Sequence, residues 1–317
     1  MSQKNLTIGI ALAIGACFVW GLIFIVPYFM PEYTTLEIVI GRYLFYGTAS
    51  LLMFWRAKSQ GHGNFPKRIW IKALYFCLVA TIGYYTFLVM AVRYSSPAVC
   101  ALILGISPIA IAFYGNWKNR ETTFKSLILP SLLILIGLVI INYPEFMESP
   151  SPVSYTIGLT CSFACLLAWS WYVVANSKFL NKHSEVRSGD WATLIGVSSL
   201  FWAFILMLFL APFIETPLEL TKYITLKFLL GSATLGLICS WIGAFLWNKA
   251  SLHLPVSLAG QLTIFETIFG VLFFYLLTMT LPSTIEITGI IILLAAIAYG
   301  IRKFARRKAF IDQIKPH

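Results

Sequence analysis

Residues 255–278 read PVSLAGQLTIFETIFGVLFFYLLT. A hydrocarbon core roughly 30 Å thick is crossed by about 20 apolar residues of helix, so this run is one membrane crossing. Glu266 stands at its centre. A carboxylate at that depth is expensive and marks a functional site by default. At helical spacing Ala259, Thr263, Glu266 and Gly270 fall along one face, with Gln261 and Thr267 flanking it. A small, polar stripe either lets another helix approach closely or lines a cavity, and the acid favours the cavity. Glu266 then holds a substrate ammonium, accepts a coupling proton or bonds to a neighbouring helix.

Working outward, ten stretches share this length and polarity. They are Leu6–Val26, Leu36–Trp55, Ile69–Val92, Pro97–Trp117 and Phe124–Tyr143, then Tyr155–Ala175, Trp191–Ile214, Leu226–Trp247, Pro255–Thr278 and Ile285–Ile301. Composition agrees: 59% of the 317 residues are hydrophobic and 11% charged, against about 25% charged in a soluble domain. Lipid must be the solvent. Each span is expected to be α-helical, because a segment in hydrocarbon satisfies its backbone internally and no run shows the alternation of a barrel strand. The fold class is all-α integral membrane.

Basic residues orient the spans. Connections with Arg56, Lys58, Lys67 and Arg68, with Lys118, Arg120 and Lys125, and with Lys178, Lys182 and Arg187 alternate with base-free connections around Pro31 and Pro150. The first set is cytoplasmic by the positive-inside bias, and ten crossings then put both termini inside. Lys222 and Lys227 land outside, accompanied by Glu215 and Glu219. The net charge of +11 therefore addresses the lipid bilayer's inner leaflet, with no nucleic acid as partner. The first apolar run shows no small-residue cleavage pattern and reads as a retained helix.

Several classes of chemistry are not expected. Cys17, Cys77, Cys100, Cys161, Cys165 and Cys239 all lie within spans and act as small apolar packers, so no disulfide framework is expected. His62, His183, His253 and His317 have no ligand spacing, so no metal or other cofactor is expected. There is no P-loop, nucleophile elbow or carboxylate pair. The chain reads as no enzyme, with any driving energy coming from a gradient.

An internal echo divides the chain. Ala91-Val92-Arg93-Tyr94-Ser95-Ser96-Pro97 leads into span four as Ala250-Ser251-Leu252-His253-Leu254-Pro255 leads into span nine. Trp20-Gly21 sits late in span one, and Trp169-Ser170-Trp171-Tyr172 late in span six. Five is odd, so two consecutive five-helix halves, residues 1–148 and 149–317, insert with opposite orientation. Inverted repeats of this kind place substrate sites at their interface near mid-depth.

Other residues bear on such a site. Pro108 in Ser107-Pro108 removes a backbone donor halfway along span four, so nearby carbonyls either face a ligand or are satisfied by packing. Arg42 is expected to be an anchor, snorkelling outward or tied to Glu37 or helix carbonyls. Trp55, Trp70, Trp117, Tyr143 and Tyr155 form an interfacial belt. Trp20, Tyr84, Tyr85, Trp169, Tyr172 and Trp241 lie deeper, either as core packing or as rings that stack on a substrate. Asn248 offers a donor and an acceptor at the inner end.

These residues resemble the EamA-type branch of the drug/metabolite transporter superfamily. The likeness rests on Trp20-Gly21 with Phe24, Gly41-Arg42-Tyr43, Ala91-x-Arg93-Tyr94, Ser107-Pro108 and Arg120-Glu121-Thr122, then on Trp169, Tyr172, Trp247-Asn248-Lys249-Ala250 and Glu266. The Trp-Asn pair and the Trp-x-x-Tyr are most similar to bacterial aromatic amino acid exporters. One departure is Glu266-Thr267 where the family often has Glu-Pro. The resemblance implies a multi-pass protein of the bacterial inner membrane, with a central cavity lined by spans one, three, four, six, eight and nine.

Together these readings predict a secondary transporter, monomeric or weakly homo-oligomeric, that exports an amino acid, aromatic ones included, by alternating access. Its expected substrate-binding residues are Trp20, Tyr84, Tyr85, Ser107, Trp169, Tyr172, Trp241, Asn248, Thr263 and Glu266. Import or exchange of a purine, polyamine or nucleotide-like metabolite is the alternative; an anionic cargo would need Arg42, the only cation at mid-depth. A membrane receptor or enzyme is the other class weighed.

Overall fold

The computed structural model describes residues 3–60, 64–95, 152–210 and 225–279, with scattered positions of 103–140 and 281–299. All regular structure among the described residues is helical. Span one is α1 (Gln3–Tyr28) and span two is α2 (Thr35–Ser59). Span three runs without interruption through α3 (Lys67–Cys77), a π-helical stretch (Leu78–Gly83) and α4 (Tyr84–Tyr94). Spans six and seven are α5 (Pro152–Lys182) and α6 (Ser188–Leu210). Span eight repeats the pattern of span three, as α7 (Leu226–Ala233), a π-helical stretch (Thr234–Ile242) and α8 (Gly243–Ser251). Span nine is divided into α9 (Val256–Leu262) and α10 (Ile264–Thr278).

Seven of the spans expected from the sequence are thus helices long and apolar enough to cross a membrane. The expected fourth, fifth and tenth spans lie largely outside the described residues; described positions within the fourth, such as Ile103, Ser107 and Ile111, are helical. The outer surface is apolar, with Leu167 69% and Leu208 72% exposed, as a lipid-facing surface requires. The helices overrun the apolar runs at their basic ends. Span six continues to Lys182, whose charge in the last turn suits a helix C-terminus.

Local chemistry sets the starts of these helices. Thr34 and Glu37 form a reciprocal capping box ahead of α2, the Thr34 backbone N–H donating to Glu37 Oε2 at 2.6 Å. Thr225 Oγ1 accepts the Phe228 N–H at the start of α7. On that same face the Thr225 hydroxyl meets Tyr33 Oη at 2.6 Å, and Lys227 pairs with Glu32 at 2.8 Å. Lys227, expected outside against the charge bias, is thus paired with Glu32 of the first loop. Lys222, Glu215 and Glu219 lie outside the described residues.

Packing follows small residues. α2 and α6 cross closely, because a Cβ on Gly47 would come within 3.0 Å of the Leu200 backbone and one on Gly196 would strike Ser50 and Tyr46. Tyr46 Oη then reaches across to donate to Ala192 O at 2.7 Å. α1 packs along α8 and α10, and α5 packs along α4. On span nine, Gly260 accepts the side chain of Ile111, where any Cβ would collide.

The crossing of α2 and α6 yields a test. Gly196→Ala forces a methyl into Ser50 and Tyr46 and should cost about 1–3 kcal/mol. Ser50 Oγ is buried with no partner among the described residues, so Ser50→Ala should be neutral or slightly stabilising. Denaturation of the detergent-solubilised variants measures both, and equal losses would contradict this packing.

Candidate functional site

Where the helices depart from α geometry, they enclose a cavity. It measures about 80 Å³, several times the ~10–15 Å³ that one water needs. Spans one, two, three, six, seven, eight and nine all contribute to its wall. Spans two and seven were not expected there.

The two π-helical stretches supply Ala80 and Thr81 on one side, and Cys239 and Ser240 on the other. A π turn is uncommon, frequent at functional sites, and disturbs the α ladder. In both stretches a carbonyl is taken up by a side chain from another span. Tyr43 Oη donates to Thr81 O at 2.7 Å, and Trp20 Nε1 donates to Cys239 O at 2.8 Å. Ser240 Oγ donates to Leu235 O at 2.8 Å, within its own π stretch. Cys239 Sγ also donates to Val19 O at 3.1 Å.

Span nine breaks just before its acid. The Glu266 N–H donates to Thr263 O at 3.0 Å, a three-residue step that takes it out of α register with Leu262. The Leu262 carbonyl accepts the Cys17 thiol at 3.4 Å instead, and Thr263 Oγ1 donates to Gly260 O at 2.7 Å. The break needs no proline. Glu266 thus lies in the first turn of α10, the helix end that favours a negative charge. It lines the cavity and makes no salt bridge within 4 Å among the described residues. The stripe serves both purposes weighed above. At its outer end a Cβ on Gly21 would sit 2.9 Å from the Gly270 nitrogen, so spans one and nine touch there.

Arg42 also lines the cavity and is 8% exposed. Its Nε donates to Ser240 Oγ at 2.9 Å. Its guanidinium carbon lies 4.4 Å from the Tyr85 ring centroid and 5.6 Å from that of Tyr43. Glu37, its expected tie, is engaged in the capping box. Sequence reasoning treated Arg42 as an anchor and left it out of the site. The available signal was its position, well inside a span.

Trp20, Tyr84, Tyr85, Trp169 and Tyr172 line the cavity with Glu266. Trp169 stacks on Tyr172 at 5.4 Å and meets Trp20 edge-on at 5.3 Å. Trp247, fully buried, lies 5.4 Å from Trp20 and 5.9 Å from Trp169. The other expected residues are elsewhere. Trp241 faces a separate hollow of about 350 Å³ with Arg187 and Asp190, its Nε1 donating to Thr193 Oγ1 at 3.1 Å. Asn248 is sealed in a chain of hydrogen bonds in which Trp191 Nε1 donates to Asn176 Oδ1, Asn176 Nδ2 to Asn248 Oδ1, and Asn248 Nδ2 to Ser188 O. Thr263 forms the break rather than the wall, and Ser107 is buried away from the lining. The five described cysteines are free thiols, and no group of three His, Cys, Asp or Glu among the described residues could hold a metal.

Comparison with known proteins gives the site a context. Residues 7–143 match the EamA-like transporter family. The chain is 28% identical over 313 residues to the inner membrane protein YtfF of Escherichia coli strain K12, covering 93% of this chain and 95% of that protein. It is also 21% identical over 123 residues to the uncharacterized transporter YyaM of Bacillus subtilis strain 168, covering 39% and 40% of the two chains. A crystal structure that shares 16% identity superposes with a TM-score of 0.74, over 92% of this chain and 98% of the other. That likeness is one of fold.

The hydrogen-bonded chain through Asn248 separates structure from binding. Asn248→Ala should lower stability by about 1–3 kcal/mol through the buried groups it strands, while ligand affinity at the cavity stays within about twofold. Melting and ligand titration on the same sample would decide, and an affinity loss without destabilisation would return Asn248 to the site.

Proposed function

We propose that this chain, whose residues 7–143 match the EamA-like transporter family, is a secondary active transporter of the drug/metabolite transporter superfamily exporting an amino acid, aromatic ones included. The observation that carries this reading is Glu266, an acid set in an aromatic cavity where helices from both halves of the chain meet. An amphipathic amine is the complementary cargo: its ammonium meets the carboxylate and its apolar part lies among Trp20, Trp169, Tyr84 and Tyr172. A cavity of about 80 Å³ has room for waters, and a ring-bearing substrate requires the aromatic walls to part.

Two inverted repeats, 1–148 and 149–317, are the architecture we propose for the movement. Contacts among the described helices support it. Span one packs on the second part of span eight as span six packs on the second part of span three. Both of those partner spans carry a π stretch. Gly47 and Gly196, which make the α2–α6 crossing, are separated in sequence by the same interval as Trp20 and Trp169, which touch at the cavity. Pairs related by one interval and meeting each other are what a two-fold axis in the membrane plane produces. The π stretches and the break at Thr263 are natural places for helices to bend as access alternates. The Escherichia coli inner membrane relative supports an inner-membrane location, and the basic loops support cytoplasmic termini.

Transport in proteoliposomes tests the role of Glu266. Glu266→Gln should lower uptake of an aromatic amino acid by about 10- to 100-fold, the worth of a charge-assisted hydrogen bond, while the protein still elutes as a folded species. Unchanged transport would remove the acid from the mechanism. Trp169→Ala should weaken aromatic cargo several-fold more than aliphatic cargo, at about 0.5–1.5 kcal/mol for a ring contact. Equal losses would assign Trp169 to packing.

A further inference from the structure

We infer that Arg42 is the anchor for a substrate carboxylate, so that the central cavity is built for a zwitterion: an α-amino acid whose two charged groups meet Arg42 and Glu266 while its side chain lies among the rings. The inference deepens the transport reading and rests on it.

The other described acids are engaged away from the cavity: Glu32 with Lys227, Glu37 in its capping box, Glu185 with His183, and Asp190 with Arg187. Among the described residues no carboxylate lies within ion-pair distance of the Arg42 guanidinium. A hydroxyl and a ring hold it instead. The Ser240 hydroxyl accepts from Nε, one of five donors on the guanidinium, and the guanidinium carbon lies over the Tyr85 ring, 4.4 Å from its centroid. These contacts orient the fork without neutralising it. A buried, unneutralised cation inside a membrane protein is costly and is retained where it acts.

Glu266 shares the cavity with it. Opposite charges lining one cavity attract each other through space, and the two form no direct pair with each other. A zwitterion replaces that distant attraction with two direct contacts, and a planar guanidinium receives a carboxylate through two parallel hydrogen bonds. An amine lacking the carboxylate leaves Arg42 without its anion, and an acid lacking the amine leaves Glu266 without its cation. Sites built around buried polar groups reject ligands that leave such groups unmatched.

Three ligands with the same ring separate the roles: L-phenylalanine, phenethylamine and 3-phenylpropanoate, titrated into the purified full-length protein in nanodiscs and followed by tryptophan fluorescence. Wild type should bind phenylalanine at least about tenfold more tightly than either relative. Arg42→Gln should lose the preference over phenethylamine while keeping phenethylamine binding, and Glu266→Gln should lose the preference over 3-phenylpropanoate. Ser240→Ala, which removes one hydrogen bond to the guanidinium, should shrink the carboxylate preference several-fold, and it decides the matter if Arg42→Gln does not fold. The inference is overturned if wild type shows no preference for the amino acid, binds none of the three, or if the variant retains the full carboxylate preference. Proteoliposome transport of phenethylamine without a carboxylate preference would leave the transport reading standing alone. Arg42-dependent carboxylate binding without transport of any of the three would do the reverse.

Discussion

In hydrocarbon a backbone group that leaves its helical partner has no water to turn to. Among the described residues, the two π stretches and the break in span nine each have a carbonyl bound by a side chain from another span, and these irregularities lie around the cavity. Tyr43 takes a carbonyl of one π stretch, Trp20 takes one of the other, and Cys17 takes the carbonyl at the break in span nine. The side chains that do this come from spans one and two. The cavity is thus held by inter-helix bonds to backbone that α geometry would have closed, and its wall cannot be rearranged without breaking them.

Charge follows the same logic. Glu266 and Arg42 are each tolerated because the fold provides partial compensation: the N-terminal turn of α10 for the acid, and Ser240 with the Tyr85 ring for the base. Among the described residues neither is given a direct opposite charge, which is the basis of the zwitterion proposal. At the aqueous ends the opposite choice is made. There Lys227 meets Glu32, and Arg187 meets Asp190 at 2.8 Å, closing pairs that screened surface charges contribute little by forming.

Long apolar runs made seven spans readable from sequence, and Glu266 was readable because an acid in such a run has few bland explanations. Facing was not. Trp241 was expected at the cavity from its depth and Asn248 from its donor and acceptor, but Trp241 lies within the π stretch Thr234–Ile242 and Asn248 beyond it, and neither lines the cavity. Successive helical residues point about 100° apart, and Ser240 reaches the cavity while its neighbour Trp241 turns to the other hollow. Arg42 was read as an anchor for a different reason. A transmembrane arginine usually finds an acid or the interface, and Glu37 was near enough in sequence to serve until its role in the capping box removed it.

Breaking a transmembrane helix usually calls for proline, and span nine lacks one at Glu266-Thr267. Here Thr263 takes that part with its own hydroxyl, which binds back to Gly260 while the Glu266 amide closes on Thr263. Local back-bonding of this kind bends helices, and it does so without the ring that would fix φ. A hinge made of hydrogen bonds can re-form in more than one register, whereas a proline kink cannot. The same residues therefore hold the acid at the cavity wall and leave span nine able to straighten. In the alternating access proposed above, a helix that presents one carboxylate to two sides of a membrane in turn needs both.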